Sequence, residues 1–159
     1  MGGDTVCVSL YGEPRGKGRP RFVRATGRVY TDAETVRYEE ALRAAGERSM
    51  EGRPPLEGAL ALKVVARFHI PRSWSGKRKA LAATGDIRPT TKPDVDNIQK
   101  CVGDALQKVV FRDDVQIVLS SITKVYSDRP GLWIEVRPLS RGVAEPRPMH
   151  SHENAEAAA

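Results

Sequence analysis

The chain has 159 residues, two cysteines, 29% charged side chains and a formal net charge of +6. That length suits one domain with its own hydrophobic core. Cys7 and Cys101 are too far apart to staple a small scaffold or bind zinc, and the lack of a leader-like start or membrane-length apolar run predicts a reduced, cytoplasmic protein with no membrane contact.

Val6, Val8 and Leu10 alternate with Cys7 and Ser9, predicting a strand that stops at Gly12. From Gly12 to Arg21 the glycines and prolines exclude helix and central strand, leaving a basic loop. Phe22 to Tyr30, with Thr26-Gly27 in the middle, predicts a small hairpin. Thr31 or Asp32 then offers an N-cap for a scaffold helix running to about Met50. Its inward residues should be Val36, Leu42 and Ala45, with Glu39, Glu40, Arg43 and Glu47 outward.

Leu60, Leu62, Val64, Ala66, Phe68 and Ile70 keep two-residue spacing opposite Lys63, Arg67 and His69, which predicts a half-buried strand ended by Pro71. Ser73 to Ala83 reads as a short basic helix carrying Lys77, Arg78 and Lys79. From Val95 to Val110 the apolar residues recur at helical spacing through Ile98, Cys101, Val102, Ala105, Leu106, Val109 and Val110. Val115 to Tyr126 reads as a strand, with Leu132 to Val136 returning beside it as a hairpin, Ile134 and Val136 inward. Cys7 and Cys101 are expected as core thiols and Trp133 as a packing residue. The expected fold is a single α+β domain over residues 1–139, a mixed sheet packed with helices. Residues 140–159, with His150 and His152, form an expected disordered tail.

Charge is distributed unevenly. Residues 13–28 and 71–92 are each net +5, so the remainder of the chain sums to −4. After these basic loops, residues 92–114 hold five aspartates: Asp94, Asp96, Asp104, Asp113 and Asp114. Carboxylates crowded together repel, and a cation held between them relieves the repulsion. In a basic protein such a site points to phosphodiester chemistry. The polyanion contacts would then come from Arg15, Lys17, Arg19, Arg21, Lys77, Arg78, Lys79 and Lys92.

Asp94 and Asp96 point the same way if the chain is extended before the helix. Asp96, Lys100 and Asp104 recur every four residues and share one helical stripe. Asp114, or Asp113 as the alternative, can join them only if the chain doubles back, bringing the next strand to the helix N-terminus. Asp94, Asp96 and Asp114 would supply hard oxygen ligands for Mg²⁺ or Mn²⁺, and Lys100 an ammonium for a charged phosphorane. Plainer readings stand beside these: Asp94 as an N-cap, Asp96 and Lys100 as a surface i, i+4 pair, and Asp104 as a solvated helix residue.

Lys92-Pro-Asp-Val-Asp-Asn-Ile-x-Lys100, Asp104-Ala-Leu106, Asp113-Asp-Val-Gln-Ile117 and Lys124-x-Tyr126, in that order, resemble the RusA family of Holliday-junction resolvases. The opening Gly12-x-Pro-x-x-Lys-Gly-Arg-Pro-Arg21 also looks like that family's first loop. The resemblance spans about residues 6–138. It implies a small homodimeric, Mg²⁺-dependent endonuclease, often phage-borne, that cuts four-way DNA junctions in recombination and repair. Asp94, Asp96 and Asp114 then match the catalytic metal-binding aspartates and Lys100 the functional lysine. Val109-Val-Phe111-Arg112 departs from the Gly- or Asn-containing turn of many relatives. The competing functions are a non-catalytic basic DNA-binding protein and a metal-dependent nucleotide-sugar transferase built on Asp94-x-Asp96.

Overall fold

The computed structural model describes residues 5–18 and 21–139, with Arg21, Val23 and Tyr30 described by backbone alone. In chain order the described residues form β1 (Val6–Tyr11), β2 (Arg21–Val23), β3 (Arg28–Tyr30), α1 (Ala33–Met50), β4 (Leu60–His69), α2 (Gly76–Thr84) and α3 (Val95–Leu106). A 3-10 turn (Asp114–Gln116), β5 (Ile117–Ser127) and β6 (Gly131–Pro138) complete them. Arg19, His150, His152 and the expected tail lie outside the described residues.

Four strands make one mixed sheet in the order β1-β6-β4-β5, and β2 with β3 makes a separate hairpin, giving the α+β architecture that the patterning implied. β4 is central, antiparallel to β6 and parallel to β5. The expected hairpin between β5 and β6 therefore does not form; β6 crosses to the far edge of β4. Leu60, Leu62, Val64 and Ala66 leave almost no surface to solvent. A strand so deeply buried needs a hydrogen-bonded neighbour on each edge, and β5 and β6 supply one each.

Alternation sorts the sheet into two faces. Val6, Val8, Val64, Phe68, Ile134 and Val136 point into the layer shared with Leu42 and Ala45 of α1 and Ile98, Val102 and Leu106 of α3. Cys7 falls one residue off that inward register and is exposed, which corrects the expectation of a core thiol. Trp133, on the outer face, is half-buried with Lys63 Nζ 5.7 Å above its ring. Cys101 is buried as expected, and burial pushes its thiol up to about 12.

On α1, Leu42 and Ala45 face the core, but Val36 is 39% exposed and Thr35 is buried in its place. The basic loop causes this shift of stripe by packing directly onto Thr35. A Cβ at Gly18 would stand 2.6 Å from Thr35 Oγ1, so only glycine lets the loop lie so close.

α3 ends at Leu106, four residues before the periodicity does, and Lys108 adopts a left-handed φ of 66°. Arg43, expected outward, donates across from α1 to the carbonyls of Asp104 at 3.3 Å and Gln107 at 3.4 Å, closing the helix end. The chain then folds back, with the Leu56 amide donating to the Val110 carbonyl at 2.8 Å. Val110 and Phe111 are fully buried by this loop and not by a further helical turn. Burying Phe111 contributes about 2 kcal/mol.

Candidate active site

Asp94 has extended geometry and caps α3, its Oδ1 accepting from the Asn97 amide at 2.9 Å and its Oδ2 from Asn97 Nδ2 at 3.4 Å. A cap of this kind contributes about 1 kcal/mol and fixes the carboxylate while leaving lone pairs for another partner. The capping and functional readings are thus compatible. Asp96, in the first turn, receives Lys100 Nζ at 2.6 Å, and both side chains are well exposed. This hydrogen bond, with the charges of Asp96 and Asp94, holds the Lys100 ammonium above the ordinary lysine range.

The chain does double back after α3, but β5 runs antiparallel alongside the helix instead of starting at its N-terminus. Asp114 meets the third turn: a Cβ at Gly103 would lie 3.7 Å from Asp114 Cβ and 3.8 Å from its Oδ2. Further along, Ser120 Oγ donates to Gln99 Oε1 at 3.0 Å. Last, Lys124 Nζ donates to the carbonyl of Thr91, just ahead of Asp94. Gly103 is seven residues past Asp96, about 10 Å up the axis and rotated by only about 20°. The acids therefore lie along one line, Asp94 and Asp96 at one end and Asp114 at the other, with Lys100 between.

Asp113 turns away from this line. Its Oδ1 accepts from the Val115 amide at 3.1 Å, while Gln116 Oε1 accepts from its own amide at 3.0 Å, a reciprocal capping box on the 3-10 turn. Gln116 Nε2 also donates to the carbonyls of Leu56 and Gly58, both at 3.1 Å. Asp113 thus serves the turn, and Asp114 faces α3.

Among the described residues, no three His, Cys, Asp or Glu side chains converge as a preassembled metal cage. The donor chemistry nonetheless suits a hard cation: Asp94, Asp96 and Asp114 are all exposed carboxylates along α3, with lone pairs left for another partner.

The opening loop clasps the start of α3. A Cβ at Gly16 would stand 2.8 Å from Asn97 Cβ and 2.9 Å from Pro93 Cβ, and the Lys17 amide donates to the Asn97 carbonyl at 3.0 Å. Lys17 Nζ bridges Glu39 Oε1 of α1 at 2.9 Å and Asp104 Oδ2 of α3 at 2.7 Å. Desolvation alone would lower its pKa, but hydrogen bonds and charge from Asp104 and Glu39 outweigh it and raise the value. Expected as a DNA contact, Lys17 has its ammonium held between two helices. Arg15 pairs with Glu34 at 2.7 Å on the surface. A cleft of about 370 Å³ opens between loop and helix, lined by Arg15, Thr35, Lys92 and Asn97 among others.

The second basic segment lies at the other side of the same region. Ser75 caps α2, and Arg78 stacks 3.9 Å from the Trp74 ring, which meets Tyr126 of β5 edge-on at 5.2 Å. Lys77 and Arg78 are exposed and Lys79 half-buried.

The family model described as Endodeoxyribonuclease RusA matches residues 11–137, from the clasping loop through the acidic line to β6. The chain belongs to the RusA endodeoxyribonuclease family. It is also 34% identical over 140 residues to the Bacillus subtilis (strain 168) protein described as "Uncharacterized protein YqaN", covering 86% of this chain and 99% of that one. No described helix of this RusA-family chain is long and apolar enough to cross a membrane. Sequence patterning assigns no functional role to Trp74, which carries Arg78, or to Lys124, which reaches Thr91. Lys124 carries a legible signal, because Ile122 and Tyr126 two residues away on either side point into the core and the lysine shares their face.

Proposed function

We propose that this RusA-family chain is a Mg²⁺-dependent endodeoxyribonuclease that resolves four-way DNA junctions, acting in recombination and repair as a two-fold homodimer. The observation that carries the reading is the exposed line of Asp94, Asp96, Lys100 and Asp114 along α3, set between two basic segments. Asp94, Asp96 and Asp114 would hold the metal, Mn²⁺ serving as a substitute, with Asp114 drawn from beside Gly103 toward the helix start as the ion binds. Bound there, the ion would supply a water activated near neutral pH and charge neutralisation at a phosphate oxygen.

The chain's own groups do the rest. Asp94, fixed by its cap, and Asp96, one turn below Lys100, present negative charge where a cation must sit. Lys100 supplies positive charge to the developing phosphorane, an interaction that strengthens as the reaction proceeds. Arg15 and Lys92, beside the cleft at the start of α3, and Lys77, Arg78 and Lys79 of α2 hold flanking phosphates without reading bases.

A labelled synthetic four-way junction, incubated with and without Mg²⁺, tests the reading. Paired symmetrical cuts with Mg²⁺ and none in EDTA are expected. Binding without cleavage under all metals would return the chain to a non-catalytic DNA-binding role. Since one chain carries one acidic line, paired cuts need two copies. Mixing the wild type with Asp96→Asn should give heterodimers that nick a single strand.

A further inference from the structure

β5 alternates Ser120, Ile122, Lys124 and Tyr126 on the sheet face covered by helices, in register with Leu62, Val64, Ala66 and Phe68 of β4. Along that row Lys124 is the one charged side chain, and an ammonium on an apolar face costs desolvation that a Met or Leu would not. It is half-buried, donates to the Thr91 carbonyl and lies 5.4 Å from the centre of the Phe68 ring. Desolvation pulls its pKa below the ordinary lysine value, and the charge of Asp94 opposes that shift. An ammonium has three N–H donors, and one carbonyl and one ring face leave the others free to turn toward a ligand. Phe68 and Thr91, which flank it, also line a cleft of about 180 Å³ with Lys92, Pro93 and Tyr126. That cleft adjoins the start of α3.

We infer that Lys124 is a phosphate ligand: held on the inner face of β5 by the Thr91 carbonyl, its ammonium takes a backbone phosphate of the bound DNA strand at the Asp94 end of the acidic line. The inference rests on the nuclease reading and adds to it a second lysine, held at Thr91, three residues before Asp94. Lys100 and Lys124 then divide the labour. Lys100 is charge-balanced by Asp96, whereas Lys124 has no carboxylate hydrogen bond among the described residues and can give its charge to the substrate.

The test measures junction affinity in EDTA across a salt series, with single-turnover cleavage in Mg²⁺, for the wild type, Lys124→Met and Lys124→Arg. Lys124→Met should reduce the log–log salt slope by about 1 and slow cleavage at least 10-fold, with a melting temperature equal to or above that of the wild type. Lys124→Arg, which keeps the cation, should restore the slope. If Lys124→Met keeps the wild-type slope and rate, the lysine is no phosphate ligand. A lowered melting temperature with an unchanged slope also overturns the inference, showing Lys124 to be only a tie between β5 and Thr91. A wild type that neither binds nor cuts junctions would sink the nuclease reading itself, a result distinct from either.

Discussion

Asp114 rests against Gly103, close enough that a methyl group on the glycine would stand 3.7 Å from Asp114 Cβ. That is ordinary van der Waals contact, so alanine fits without displacing the aspartate. Gly103→Ala should raise stability by about 0.5–1 kcal/mol, through helix propensity, and keep cleavage. Gly103→Leu should push Asp114 off the helix and abolish cleavage while circular dichroism still reports a folded protein. Full activity in the leucine variant would detach Asp114 from the site.

Asp113 and Asp114 are neighbours with different expected phenotypes. Asp113→Ala removes the cap of the 3-10 turn and should cost about 1 kcal/mol in urea unfolding, with cleavage retained. Asp114→Asn should leave unfolding unchanged and eliminate Mg²⁺-dependent cutting. Reversed phenotypes would exchange their roles.

Lys17 should behave as a staple between α1 and α3. Lys17→Met is expected to cost on the order of 1 kcal/mol, the pair with Asp104 being partly screened by solvent. Because the folded-state pKa is raised, this stabilisation is fully present below the unfolded lysine value of about 10.4 and is lost as pH rises through the higher folded value. The gap between wild type and variant should therefore be constant at neutral pH and close in strong alkali. A gap that persisted there would mean that the methionine disturbs packing and not charge.

The two thiols should differ in reactivity. Cys7, exposed on the outer sheet face, should react with a disulfide reagent in the native state. Cys101, buried and with its thiol pushed up to about 12, should react only on unfolding. Counting one fast and one slow thiol per chain checks the register of β1, and two slow thiols would contradict it.

Asp96→Asn removes one candidate metal ligand and the partner of Lys100. Cleavage should vanish, while junction binding in EDTA should hold or tighten, because a negative charge facing phosphate is gone. Cleavage at the wild-type rate would remove Asp96 from the chemistry.

What the sequence determined by itself was local. α3, β1 and β4 follow from apolar spacing, α1 from the N-cap candidates before it, β2 and β3 from the Thr26-Gly27 turn, the Asp94 cap from the residue type at a helix start, and the Asp96–Lys100 pair from four-residue spacing. These depend on backbone geometry over a few residues, which neighbours in sequence fix. Val36 and Val110 mark where that reasoning stops, since packing by the basic loop turned one outward and a folded-back loop buried the other beyond the helix end. Tertiary structure decided the rest. The direction of β5 past α3 put Asp114 at Gly103 and Lys124 at Thr91, the capping box separated Asp113 from Asp114, and Glu39 with Asp104 claimed Lys17. Such choices hang on which faces are buried together by segments distant in the chain. No short-range period encodes them.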